Sequence, residues 1–265
     1  MLPIIEMFAS IQGEGKFSGK PSIFIRVSGC NLRCMFKDSI CDTPYSSFNP
    51  EKSLYKSVDD EVQAFKEISK AHPRIKHVVI TGGEPLLYKN DLEEFFGLIY
   101  TDDMVITIET NGTRPILNPI SNKFKIDLYS VSPKLSTSVG KPNENISEEV
   151  ISRHNSTRID IPNLVDLVCY SRDYQFKFVY SGPECINEIL DIYSKMAESI
   201  ENNGEVTEMM YKKKHPMNHT MLMPEGITED QLRTKREEIV EKCMEMGWTY
   251  TDRLQILIWG DKRGV

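Results

Sequence analysis

Cys30, Cys34 and Cys41 crowd one short stretch, Cys30-Asn31-Leu32-Arg33-Cys34-Met35-Phe36-Lys37-Asp38-Ser39-Ile40-Cys41. Thiolates are soft ligands, and three at close spacing suit zinc or an iron–sulfur cluster. A structural zinc site takes a fourth protein ligand at recognisable spacing. None stands nearby: the loop holds no fourth Cys, and the nearest His is His72. Three ligands without a fourth suit a 4Fe–4S cluster with one iron left open, where a cofactor can bind. The plainer alternative makes the thiols small buried hydrophobes. Their clustering argues against it, and a disulfide leaves an odd thiol over.

The elements that position this loop come next. Ser22-Ile23-Phe24-Ile25-Arg26-Val27 reads as a buried strand that delivers it. Arg26 breaks the apolar run, and a buried guanidinium needs an ion-pair partner or a ligand. Before the strand, Ile11-Gln12-Gly13-Glu14-Gly15 reads as a tight turn presenting Gln12 and Glu14. Further on, His77–Ile80 runs as a strand into Thr81-Gly82-Gly83-Glu84-Pro85, where paired glycines let a ligand approach the backbone. Met104–Ile108 ends at Glu109-Thr110-Asn111-Gly112, and Phe124–Val131 at Ser132-Pro133-Lys134. Gln175-Phe176-Lys177-Phe178-Val179-Tyr180 alternates as a strand, and Leu254–Trp259 reads as a last strand. Polar residues thus collect where strands end, the place where α/β sheets build sites.

Between the strands, helical spacing marks 58–71, 91–100, 184–200 and 228–247, with helix-start boxes at Ser57 and Thr228. Ile186, Ile189, Leu190, Tyr193, Met196 and Ile200 form one apolar face. Leu232, Ile239, Val240, Cys243 and Met246 form another. The alternation predicts a mostly parallel sheet flanked by helices. The reading is a single domain over 1–265 with polar excursions near 135–160 and 201–219.

The chain has 265 residues, 40% hydrophobic and 27% charged, ordinary for a globular protein. A net charge of −7 argues against a nonspecific nucleic-acid binder, which carries a basic footprint. No apolar run approaches the ~20 residues that span a bilayer, and the first residues lack a basic, then apolar, leader pattern. Six cysteines, three of them clustered, do not make a disulfide framework, so the expected home is the reducing cytoplasm.

The cysteine loop, Gly82-Gly83-Glu84-Pro85, Glu109-Thr110-Asn111-Gly112 and Ser132-Pro133-Lys134 follow one another in this order at strand ends. Together they resemble the radical S-adenosylmethionine enzymes. Gln12-Gly13-Glu14-Gly15, Cys41-Asp42-Thr43, Phe176–Val179, Met223-Pro224-Glu225-Gly226 and the stretch Leu254 to Val265 narrow the resemblance to the 7-carboxy-7-deazaguanine synthase family. There are two departures: six residues separate Cys34 from Cys41 where the family often has two, and Gln255 stands where it often has a His.

The resemblance implies an α/β fold, a partial, open TIM-like β/α barrel, often homodimeric. It implies a carbon–nitrogen lyase that converts 6-carboxy-5,6,7,8-tetrahydropterin to 7-carboxy-7-deazaguanine with loss of ammonia. An electron from the cluster would cleave S-adenosylmethionine, and the resulting radical would take a hydrogen from C6 of the pterin. Cys30, Cys34 and Cys41 would ligate the 4Fe–4S cluster. Gly82, Gly83, Glu84, Glu109, Asn111, Ser132, Pro133, Lys134, Gln175 and Lys177 would hold S-adenosylmethionine. Ile11, Gln12, Gly13, Glu14, Arg26, Thr81 and Val265 would line the pterin site, and Thr43 would meet a Mg²⁺ shared with substrate. An external electron donor of the flavodoxin or ferredoxin kind is implied as well. The rivals are another radical enzyme of the superfamily, such as a glycyl-radical activase, and a zinc-stabilised binding module.

Overall fold

The computed structural model describes residues 1–37, 40–117, 124–143, 146–201 and 205–265. Eight strands form one sheet: β1 (Ile4–Ile11), β2 (Pro21–Val27), β3 (His77–Gly82), β4 (Val105–Thr110), β5 (Leu128–Val131), β6 (Tyr174–Tyr180), β7 (Thr220–Pro224) and β8 (Thr249–Tyr250). They lie side by side in sequence order. β1 and β2 pair antiparallel, and every later pair is parallel. β1 and β8 are the two edges of the sheet. The result is the open, mostly parallel β/α barrel that the motifs imply, with helices filling the crossovers that parallel pairing demands.

The period of two in each strand decides what faces what. β2 sends Ile23, Ile25 and Val27 to the apolar core, β3 sends Val78 and Ile80, β4 Ile106 and Ile108, and β6 Phe176 and Phe178. Phe24, Arg26, Thr81, Glu109, Ser130, Lys177 and Met223 point the other way and line a cavity. Register aligns them across the sheet. Glu6 pairs with Arg26 and Arg26 with Thr81, while Glu109 pairs with Ser130 and Ser130 with Gln175. One row of polar residues therefore crosses the barrel from Glu6 on β1 to Gln175 on β6.

The helices of the crossovers largely follow their periodicity. Val58–Ala71 starts at Ser57, whose side chain accepts the Asp60 N–H, although the reciprocal arm of a box is not formed there. Glu184–Glu201 buries Cys185, Ile189, Ile192, Tyr193, Met196 and Ile200. Leu190, expected on that face, is exposed, because the buried stripe is centred one residue further round. Cys169, Cys185 and Cys243 are buried core thiols.

Three expectations are overturned. Leu254–Trp259 is a helix and not a last strand; a short run with five apolar residues of six carries no period that separates the two. The region 228–247 holds two helices, Glu229–Arg233 and Arg236–Met246. The break between them turns Val240 outward. Phe124–Asp127 precede β5 as irregular chain, Asp127 accepting the Ile106 N–H through its carboxylate. Ile4–Ile11, unassigned by the pattern, is the antiparallel edge strand. The helices Ile161–Tyr170 and Glu205–Lys213 are likewise additions to the reading. The excursions near 135–160 and 201–219 fall partly outside the described residues, as do Asp38 and Ser39 of the cysteine loop. No described helix is long and apolar enough to cross a membrane.

Candidate active site

β2 ends at Val27 and releases the cysteine loop over the carboxyl end of the sheet. The root of the loop is fixed by β3. The Gly83 N–H donates to Val27 O at 2.9 Å and the Glu84 N–H to Gly29 O at 2.8 Å. Only glycine permits this approach: a Cβ on Gly83 would stand 1.8 Å from Gly29 O. Further along, Met35 and Ile40 form an antiparallel bridge, and the Cys41 N–H donates to Cys34 O at 3.1 Å. The described residues on either side of this lengthened spacing thus pair with each other, and Cys41 lies beside Cys34.

All three thiols line one cavity of about 530 Å³, a volume suited to a cofactor and a small substrate. Cys30 Sγ receives the Leu32 N–H at 3.4 Å and faces Asn111 Nδ2 at 3.9 Å. Burial pushes the Cys30 thiol up to about 11 and Cys34 higher still, with the Lys134 ammonium pulling both the other way. Among the described residues no three His, Cys, Asp or Glu side chains converge on one point as ligands of a single ion. Thiols spread along one wall fit a cluster that takes one thiolate per iron.

Opposite the thiols stands a network of buried charge. Glu14 pairs with Lys177 through Oε2, and its Oε1 accepts from Arg253 Nε at 3.1 Å and Gln255 Nε2 at 2.8 Å. Arg253 also pairs with Asp42 of the cysteine loop and donates to Gly226 O at 2.5 Å. Burial alone would raise the Glu14 carboxyl, but the Lys177 and Arg253 cations outweigh it and hold it far below the usual range. Beside this network, Glu109 accepts from Thr81 Oγ1 at 2.7 Å and Gln12 Nε2 at 3.1 Å. Gln255 fills the space above Gly13, where a Cβ would come within 1.6 Å of its Oε1.

Arg26 meets the need for a partner through Glu6, Nε to Oε2 at 2.7 Å, while still facing the cavity. Arg263 joins the same carboxylate and lies over the Tyr45 ring at 3.8 Å from its centroid. It also grips Glu51 with two nitrogens at 2.9 and 2.7 Å. These contacts lay Gly260–Val265 along the cavity wall.

Of the residues singled out in the sequence, Ile11, Gln12, Gly13, Glu14, Arg26 and Thr81 share this wall with the thiols. So do Thr43, Gly82, Gly83, Glu109, Asn111, Ser132, Lys134, Lys177 and Val265. Glu84, Pro133 and Gln175 stand behind it. The Glu84 carboxylate is wholly buried and accepts the Asn111 N–H at 2.7 Å, the Leu86 N–H at 3.0 Å and Thr110 Oγ1 at 2.8 Å. Gln175 takes the Lys16 N–H at 2.8 Å and donates to Ser130 Oγ at 2.8 Å. The sequence reading missed Arg253, Asp42, Glu6, Tyr45 and Arg263. Asp42 lay within the Cys-Asp-Thr triplet. Arg253 carried no signal beyond preceding an apolar run.

Comparison with known proteins agrees with this geometry. Residues 24–151 match the Radical SAM superfamily. A 7-carboxy-7-deazaguanine synthase of Halobacterium salinarum is 38% identical, over 98% of this chain and 91% of that protein. One of Rhodopirellula baltica is 33% identical, over 99% and 88%. The crystal structure of QueE from Escherichia coli superposes with a TM-score of 0.57, covering 96% of this chain and 94% of that one at 23% identity. At that identity the likeness is one of fold.

Proposed function

Because the chain belongs to the 7-carboxy-7-deazaguanine synthase family of radical S-adenosylmethionine enzymes, we propose that its cavity holds a 4Fe–4S cluster on Cys30, Cys34 and Cys41, with cofactor and pterin side by side. The observation that carries the assignment is the convergence of those three thiols and the polar row of the sheet on one cavity. The enzyme forms 7-carboxy-7-deazaguanine, in the chemistry that builds 7-deazapurines. When bound, the cluster and S-adenosylmethionine supply one-electron chemistry that allows a hydrogen to be taken from substrate carbon. The whole of 1–265 is taken as the one domain that houses them.

The protein's own part is positioning, dryness and charge. The N–H groups of Gly83 and Glu84 are spent on Val27 and Gly29, so what this turn can offer a ligand is carbonyl oxygen, the acceptor that a methionyl ammonium needs. Asn111, whose backbone Glu84 fixes, together with Glu109, Ser132 and Lys134, flanks the same space. Pro133, Gln175 and Glu84 act from behind the wall by holding those groups in place. Lys177 faces the cavity with its charge matched by Glu14.

On the pterin side, Gln12, Glu14 and Thr81 offer hydrogen-bonding groups to a flat, amide-rich ring, with Ile11 and Gly13 as its apolar and backbone floor. Arg26, with only Nε spent on Glu6, is the cation for the substrate carboxylate. Thr43 is assigned to Mg²⁺, one hydroxyl oxygen among substrate and water oxygens, and Val265 to the closing edge of the site. The electron donor is a flavodoxin- or ferredoxin-like protein, the working state a homodimer, and the compartment the cytoplasm.

The experiment is an anaerobic turnover assay with 6-carboxy-5,6,7,8-tetrahydropterin, S-adenosylmethionine, Mg²⁺ and a reductant. The expected outcome is 7-carboxy-7-deazaguanine from protein absorbing near ~400 nm with about four irons per chain. Colourless protein holding one zinc would overturn the assignment.

A further inference from the structure

The polar excursion after Lys134, to which the motifs assign no role, lies against the cysteine loop. The Arg33 N–H donates to His154 Nδ1 at 3.1 Å, and the Met35 N–H donates to Ser138 O at 2.8 Å. The residues on both sides of Cys34 are therefore anchored through their N–H groups on one segment. His154 is 2% exposed, and its Nε2 lies 3.1 Å from Ser138 Oγ. Ser138 Oγ donates in turn to Leu135 O at 2.6 Å. Since Nδ1 accepts, the ring proton sits on Nε2 and goes to Ser138 Oγ. Every donor then runs in one direction, from Arg33 through the imidazole and the hydroxyl to Leu135, the neighbour of Lys134. Gly140 completes the fit, since a Cβ there would stand 2.6 Å from Cβ of Met35.

We propose that His154 is a positioning residue of the iron–sulfur site, fixing the peptide that leads into Cys34 against the segment following Ser132, Pro133 and Lys134. The ligand loop and the cofactor-side strand end then keep one spacing. His154 is outside the cavity wall and both ring nitrogens are used within the protein, so it acts through Arg33 and not as a ligand. The proposal rests on the assignment of Cys30, Cys34 and Cys41 to a cluster.

The test uses full-length protein reconstituted anaerobically with iron and sulfide. It reads iron per chain and the rate at which the ~400 nm absorbance bleaches in air. His154→Leu removes the acceptor for the Arg33 N–H; His154→Asn keeps an acceptor oxygen near the place of Nδ1. We expect His154→Leu to hold less than about half the wild-type iron and to bleach several-fold faster, and His154→Asn to recover most of both. Wild-type loading in His154→Leu overturns the proposal, and so does equal loss in the two variants, which would make the residue a matter of volume. If His154→Leu fails to fold, Ser138→Ala decides: bleaching about twofold faster supports the relay, and wild-type bleaching overturns it. Wild-type protein that takes up no iron would overturn the cluster assignment itself, a result distinct from normal loading in both wild type and His154→Leu.

Discussion

Arg253 and Glu14 lie 239 positions apart in the chain and meet Nε to Oε1 at 3.1 Å. The same guanidinium reaches Asp42, one residue from Cys41, the proposed ligand, and one from Thr43. A single side chain thus sets the distance between the turn that holds Glu14 and the cysteine loop. Arg253→Gln should lower kcat/KM for the pterin by about 10²-fold, the cost of misplacing reacting groups by an ångström, with iron loading close to wild type. Steady-state kinetics beside an iron assay check it; an unchanged KM for the pterin would count against this role.

The thiols divide into two sets. Replacing Cys30, Cys34 or Cys41 singly with Ser should abolish turnover and remove most of the iron. Cys169→Ala and Cys243→Ala should load normally, with only the stability loss of a small core cavity, about 1–2 kcal/mol. Iron content and thermal melting separate the sets.

Glu84→Gln should destabilise the fold and loosen Asn111. One Glu84 oxygen takes two donors and the other takes the Asn111 N–H. An amide can offer its oxygen to only one side, leaving a buried N–H facing an NH₂ at about 1–3 kcal/mol. Differential scanning calorimetry should show a Tm lower by several degrees.

Much of this site is legible in the residue pattern because parallel strands end in order. Each apolar run points at its own polar terminus, so the cysteine loop, Gly82-Gly83 and Ser132-Pro133-Lys134 declare themselves locally. What stays hidden is non-local. Arg253 is an ordinary arginine until β8 brings it beside Glu14, and His154 an ordinary surface-helix residue until Arg33 lies against it. β1 is hidden for a different reason: as an edge strand it places Glu6 and Ser10 among its apolar residues, which blurs the run. Leu254–Trp259 misleads because a short, mostly apolar hexapeptide suits strand and helix alike.

Glu61 offers a pH signature independent of catalysis. It is fully buried on the helix Val58–Ala71. Burial pushes its carboxyl up to about 7, only partly offset by the positive amino terminus and the Leu2 backbone. A carboxyl that holds its proton more tightly when folded contributes stability that is complete below its ordinary value of 4.5 and is lost as pH rises through about 7. The swing is at most ~3 kcal/mol. Between pH 5 and 8 the wild-type Tm should therefore fall more steeply than that of Glu61→Gln; parallel curves would refute it.

Thr43→Ala should raise the Mg²⁺ concentration needed for half-maximal activity by about tenfold or more, with S-adenosylmethionine affinity unchanged. On the proposed assignment this hydroxyl is a protein oxygen for a hydrated Mg²⁺. A Mg²⁺ titration of activity beside equilibrium binding of the cofactor reads both.

Leu254 donates to Gly13 O, Gly15 to Thr251 Oγ1, and Arg263 reaches Glu6, so the segment before β2 and the segment after β8 are stitched together around the site. During synthesis the sheet can grow strand by strand as it emerges from the ribosome, because neighbours in sequence are neighbours in space. The chamber cannot close until Thr251 to Arg263 are released. Cys30, Cys34 and Cys41 therefore emerge long before their far wall, an interval in which iron and sulfide can be delivered to an open cradle.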